Sequence, residues 1–136
     1  MLTEKDYCDY ETCVALREVG CRIETEWYIH QPSYERGSCY LCFGIPRETS
    51  VLDECDYIPR LSLYEAQKWL REERNIDVLI ELETKDIHLS SKYYSIYISY
   101  MSRFRREFNY ISKGFDSYEE ALSEGIKEAV KLLKEK

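Results

Sequence analysis

A tyrosine–glutamate pair with a capping residue ahead of it occurs three times in this chain, and it marks three helix starts. Tyr10-Glu11, Tyr64-Glu65 and Tyr118-Glu119 lie 54 residues apart. Asp9, Ser62 and Ser117 precede them, and each can accept from backbone N–H groups that the first helical turn leaves unpaired. The first two pairs continue alike, into Leu16-Arg17-Glu18 and Leu70-Arg71-Glu72. The segments between the helix starts are too long for turns and carry strand patterns. The chain is thereby restricted to a mixed architecture.

The first helix is predicted over Tyr10–Val19, with Cys13, Leu16 and Val19 on one face and Gly20 supplying the left-handed residue that ends it. Ser62 and Glu65 have the spacing of a capping box, and Leu63, Ala66, Trp69 and Leu70 form the buried stripe of a second helix ending near Arg74-Asn75. The third runs from Tyr118 to about Lys134. Acidic residues crowd its first turn and lysines its last, as the helix dipole favours. Its stripe of Tyr118, Ala121, Leu122, Ile126, Ala129, Val130 and Leu133 is broad enough to lie on a sheet. Gly125 interrupts that stripe at a cost of about 1 kcal/mol relative to Ala. Close approach to a strand would explain it.

Alternation of period two predicts the strands. Ile23, Thr25, Trp27 and Ile29 alternate with Arg22, Glu24, Glu26, Tyr28 and His30. After a loop over Gln31–Gly37, Cys39, Leu41 and Phe43 line one face of a second strand. Pro46 to Leu61 has no clear period and reads as a connection. Ile76, Val78, Ile80 and Leu82 then alternate with Asp77, Leu79, Glu81 and Glu83. After a turn over Lys85–Lys92, Tyr94, Ile96, Ile98 and Tyr100 oppose Tyr93, Ser95, Tyr97 and Ser99. A tight turn at Ser102-Arg103 leads into a strand where Phe104, Phe108 and Tyr110 share a side. The order α-β-β-α-β-β-β-α predicts an α+β fold, a two-layer sandwich of helices packed on an antiparallel sheet.

At 136 residues this is one domain, 1–136. The 54-residue offset also fits a duplicated αββ unit, 9–61 and 62–115. Shared helix grammar accounts for the same pattern more simply, because little beyond the first two helices matches.

The net charge of −7 argues against a generic nucleic-acid or anionic-membrane surface. Residues 1–75 hold 9 basic and 15 acidic side chains, and residues 76–136 hold 10 and 11, so any polyanion contact belongs to the C-terminal half. No apolar run reaches the ~18–20 residues of a membrane span, and the start lacks a secretory core. A cytoplasmic location is expected.

No residue pattern announces catalysis. Phosphate-cradling glycine loops and nucleophile elbows are absent, and His30 and His88 lack a companion at metal-binding or catalytic spacing. No enzyme activity and no cofactor are expected. All six cysteines fall in the first 55 residues. Cys39 and Cys42 have zinc-ligand spacing, but three residues apart on a strand they point to opposite faces, so reduced structural cysteines are the favoured reading over zinc or disulfides. Arg103, Arg105 and Arg106 form the one positive cluster, able to grip a polyanion or to protect a strand edge. Helix, three strands and helix over 62–120 is also the topology of double-stranded RNA-binding domains, but Asp116, Glu119 and Glu120 stand where that activity needs positive charge.

The runs Leu61-Ser-Leu-Tyr-Glu-Ala-Gln-Lys-Trp-Leu-Arg-Glu-Glu and Phe115-Asp-Ser-Tyr-Glu-Glu-Ala-Leu, with Asp9-Tyr-Glu-Thr-Cys-Val-Ala-Leu-Arg-Glu-Val-Gly, resemble a family of small uncharacterised proteins from gut anaerobic bacteria, their phages and mobile elements. The similarity spans most of the chain, although Cys21 stands where that family commonly has Phe. It implies a cytoplasmic accessory protein of phage-like ancestry and carries no site residues with it. The 13 tyrosines, against 4 Phe and 2 Trp, suit a half-wet contact surface. The expected function is a non-catalytic protein-interaction module, with Tyr28, Tyr93 and Tyr97 on a sheet face meeting a protein partner or a second copy. Nucleic-acid binding through Arg103, Arg105 and Arg106 is the alternative.

Overall fold

The computed structural model describes residues 2–30, 40–43, 57–84 and 92–135. A 3-10 turn at Glu4–Asp6 precedes α1 (Tyr10–Glu18), and β1 (Trp27–His30), β2 (Tyr40–Phe43) and β3 (Tyr57–Pro59) follow. Then come α2 (Leu63–Arg74), β4 (Asp77–Thr84), β5 (Lys92–Ser102), β6 (Arg105–Phe115) and α3 (Tyr118–Lys134). This is the predicted α+β arrangement of helices against antiparallel strands. The strands divide between two sheets, ordered β2-β1-β3 and β4-β5-β6. Tyr57–Pro59, at the end of the aperiodic stretch, pairs antiparallel with β1. Three residues are too few to show a period. The loop over 31–37, most of the connection before β3, the turn holding His88, and Cys39 and Cys55 lie outside the described residues.

All three helix starts are capped by the residues named from sequence. The Asp9 carboxylate accepts from the Thr12 N–H at 2.8 Å, and the Ser117 hydroxyl oxygen accepts from the Glu120 N–H at 3.1 Å. At α2 the box closes both ways. The Ser62 oxygen accepts from the Glu65 N–H at 3.1 Å, and the Glu65 carboxylate accepts from the Ser62 N–H at 3.0 Å. Ser62 is buried, so water cannot take over that bond. Ser62→Ala is therefore expected to lower the unfolding free energy by about 1–2 kcal/mol, measured by urea denaturation. Gly20 (φ 104°) and Asn75 (φ 56°) provide the left-handed residues after α1 and α2.

The core lies between the helices and the inner face of β4-β5-β6. Ala121, Leu122, Ile126, Ala129 and Val130 of α3 are buried with Val78, Ile96 and Ile98 of the sheet. Leu63, Ala66, Trp69 and Leu70 of α2 and Cys13 and Leu16 of α1 extend the same cluster. The glycine in the α3 stripe marks the closest approach. A Cβ at Gly125 would stand 2.5 Å from Val78 Cγ1 and 3.1 Å from Ile96 Cγ2.

The first sheet departs from the expected alternation. β1 is regular over Trp27–His30 alone, and within it Tyr28 and Ile29 are both buried while Trp27 is 44% exposed. Tyr28 belongs to the interior and leaves the predicted contact surface. The cause is position. β1 is the central strand of its sheet, and its Tyr28 side shares a cleft with Tyr7, Arg60 and Glu65. Arg60 stands at that cleft, with its guanidinium 3.7 Å above the Tyr7 ring and 2.6 Å from the Glu4 carboxylate.

Candidate interaction face

β5 carries the site because its two faces have opposite fates. The side chains of Ile96 and Ile98 point to the helices and are fully buried, while Tyr93 and Tyr97 point away and stay half-exposed. Pairing registers extend the outward face across three strands. Leu79 of β4, Tyr97 of β5 and Tyr110 of β6 stand in one row, and Asp77, Ser99 and Phe108 in the next. Leu79 is 51% exposed, Phe108 66% and Tyr110 47%, so no described element covers this face. The Tyr97 and Tyr110 rings lie 4.5 Å apart between centroids, tilted by 34°. Cross-strand aromatic contact of this kind holds the rings in place while leaving their outer sides to solvent.

Two charged side chains fold down over the central strand. The Glu83 carboxylate accepts from the Ser95 hydroxyl at 2.6 Å and from Tyr110 at 3.0 Å. The Arg106 guanidinium donates to Ser99 Oγ at 2.8 Å and lies 3.4 Å from Asp77. Ser95 and Ser99 are consequently buried although they belong to the outer face. The Ser95 and Tyr110 hydroxyls hold the Glu83 carboxyl below the ordinary glutamate value. The same carboxylate raises the Tyr93 phenol through a hydrogen bond. Desolvation, followed by the charge of Glu81, raises Tyr97.

The lowered carboxyls, Glu83 together with Asp6 and Asp9 elsewhere in the fold, set an acid limit on stability. Asp6 is lowered through the Thr3 backbone. For Asp9, burial works upward, but the Thr12 bonds and Lys127 outweigh it and the carboxyl is lowered too. A carboxyl with a depressed folded-state value stabilises the fold above its unfolded value, and that contribution is lost as pH falls through the folded value. With ordinary values of 4.5 for Glu and 3.8 for Asp, melting temperature is expected to hold down to about pH 5 and to fall below about pH 4. Thermal melts followed by circular dichroism across this range check it, with Glu83→Gln shifting the onset of the loss.

The sequence-derived sites fare unequally. Tyr93 and Tyr97 share the outer face as expected, and Tyr28 does not join them. Leu79, Phe108 and Tyr110 complete the face. Their signal was the same alternation, since each falls on the outer parity of its own strand. Arg103 and Phe104 form the β5–β6 turn, and Phe104 is 95% exposed there. The three arginines do not converge. Arg105 lies 3.6 Å from Glu107, and Arg106 is drawn across the sheet to Ser99 and Asp77.

Cys8, Cys13 and Cys21 are buried, unbridged thiols. Cys13 Sγ donates to the Cys8 carbonyl, and the adjacent Cys13 thiol together with burial pushes the Cys8 thiol up. Cys42 pairs through its backbone with Tyr28. Among the described residues, no group of three or more His, Cys, Asp or Glu is placed to hold a metal ion. Among them, too, no helix is long and apolar enough to cross a membrane. Comparison with family models, curated proteins and solved structures finds no match.

Proposed function

We propose that this protein is a non-catalytic, cytoplasmic accessory module of phage or mobile-element origin that binds another protein through the outer face of β4-β5-β6. The observation that carries the reading is the row Leu79–Tyr97–Tyr110, with Phe108 beside it, standing uncovered on a rigid three-stranded sheet. Large apolar and aromatic side chains gathered on one exposed face are the composition of a protein-binding patch, whereas single exposed hydrophobics are ordinary. Tyrosine is well suited to the task because its ring contributes contact area at little cost in side-chain entropy.

The test is affinity purification from the native host with a Tyr97→Ala/Phe108→Asp variant and a Lys68→Ala/Glu72→Ala control on the exposed side of α2. The reading expects partners retained by the control and lost by the face variant. Identical partners in both would overturn it. Nucleic-acid binding is the weaker reading, because Arg105 and Arg106 each already face a carboxylate and Glu119 and Glu120 open α3. It expects a salt-dependent shift of labelled RNA or DNA that Arg103→Ala/Arg105→Ala abolishes.

A further inference from the structure

We infer that the partner of this face is a second copy of the same chain, the two sheets packing face to face about a two-fold axis that runs across the strands through Tyr97. The inference rests on the interaction-face reading and names its occupant. Its ground is one pair of opposite charges set symmetrically on either side of Tyr97. Glu83 belongs to β4 and Arg106 to β6, yet both side chains reach over the central strand. The Glu83 carboxylate sits on Ser95 and the Arg106 guanidinium on Ser99. Ser95 and Ser99 are the outward residues on either side of Tyr97, one step each way along β5.

A half-turn about an axis through Tyr97, perpendicular to the strands, exchanges those two positions. The Arg106 guanidinium of one copy is then set above the Glu83 carboxylate of the other, and the reverse pair forms at the same time. The apolar row lies on the axis, so Leu79, Tyr97 and Tyr110 each meet their own counterpart, as an isologous contact requires. Over β4 the same half-turn sets Asp77 of one copy opposite Glu81 of the other, a repulsion tempered by the Arg106 guanidinium 3.4 Å from Asp77. Antiparallel sheets stack with aligned strands and interdigitated side chains in this manner.

The size of the face sets the strength. Three strands ~4.8 Å apart and nine residues at ~3.3 Å give a footprint of about 14 by 30 Å, on the order of 800 Å² over two copies. That is below the ~1,200–2,000 Å² of stable specific interfaces and belongs with weak, transient contacts. With a net charge of −7 on each copy, weak pairing that depends on local charge complementarity is the expected regime.

The experiment is sedimentation of the purified full chain across a concentration series, with Glu83→Arg, Arg106→Glu and Leu79→Lys variants. Wild type is expected to pass from monomer to dimer. Each single charge reversal should weaken that association by about tenfold or more, because it sets like charges opposite each other twice. An equimolar mixture of Glu83→Arg and Arg106→Glu should recover it, since the mixed pair restores both contacts. A misfolded variant could not be rescued this way. Leu79→Lys, at an exposed position on the axis, should abolish pairing with its melting temperature kept. A monomer at every concentration, or a dimer untouched by these changes, or no recovery on mixing, overturns the inference. If wild type is monomeric while Tyr97→Ala/Phe108→Asp still loses a captured heterologous partner, self-pairing fails and the interaction face stands. If no such partner is lost either, both fail.

Discussion

Gly125→Ala is expected to destabilise the protein, although helix propensity alone predicts the opposite. In the middle of a long helix, replacing Gly by Ala stabilises by about 1 kcal/mol. Here the new methyl would stand 2.5 Å from Val78 Cγ1 and 3.1 Å from Ile96 Cγ2. Val78 and Ile96 are both buried, β-branched residues in the sheet, and neither can swing aside as the end of a flexible side chain could. α3 must lift from the sheet or the strands must shift, and overpacking of this kind costs typically ~1–3 kcal/mol. The net expectation is a loss of about 1–2 kcal/mol for Ala. Gly125→Leu is expected to prevent folding at ambient temperature, because the same contact must then admit three further carbons into a close-packed layer. Chemical denaturation of wild type and Gly125→Ala decides the sign. An Ala variant more stable than wild type would mean that α3 does not sit where its buried stripe meets Val78 and Ile96.

That glycine shows why the second half of the chain was legible in its sequence. α2, α3 and the three strands between them announce themselves through long periodic patterns bounded by capping residues. The contact that each pattern needs is made by the next element along the chain. Ala66, Trp69 and Leu70 could be placed together from spacing alone, and so could Ala121, Leu122 and Ile126. In the first half the periods are short. Arg22 to Glu26 alternates as a strand should, yet regular pairing begins at Trp27. Alternation states which side chains could share a face, but a strand also needs a neighbour for its hydrogen bonds. On one side that neighbour is β3, which ends at Pro59 opposite Tyr28 and offers no strand to the residues before Trp27.

The interaction face was half legible for a related reason. Alternation in β5 separated Tyr93 and Tyr97 from Ile96 and Ile98 correctly. It could not say that Ser95 and Ser99, on the outer side, would be buried beneath Glu83 and Arg106. Those arms reach across strands, and their targets depend on registers that no local pattern encodes. Tyr28 was misplaced because a period-two pattern assumes one wet face, while in β1 the neighbours Tyr28 and Ile29 are both buried. The arginine run at the β5–β6 turn looked like a cluster in sequence. In a hairpin, consecutive residues part to opposite sides, and Arg105 and Arg106 there find different neighbours.

A pair of substitutions at adjacent positions of β5 tests the face assignment most directly. Ile96 is fully buried under α3, against the backbone of Gly125, and Tyr97 beside it points outward. Ile96→Ala removes three carbons from a position with no room to collapse, since Gly125 leaves nothing to move into the gap. A cost of about 3–4 kcal/mol is expected, within the range for Ile→Ala in cores. Against a total stability of roughly 5–15 kcal/mol this is a large fraction, and the melting temperature should fall accordingly. Tyr97→Ala gives up its contact with the Tyr110 ring and some covered area, so a cost of about 0.5–1.5 kcal/mol is expected. Its larger effect falls on association, which the stability measurement does not see. Two neighbouring residues thus separate the fold from its function, one holding α3 to the sheet and the other facing the partner. Equal losses of stability at both positions would mean that the outer face is covered as well. A greater loss at Tyr97 would mean that the two faces of β5 are exchanged, and the contact surface would then have to be sought elsewhere.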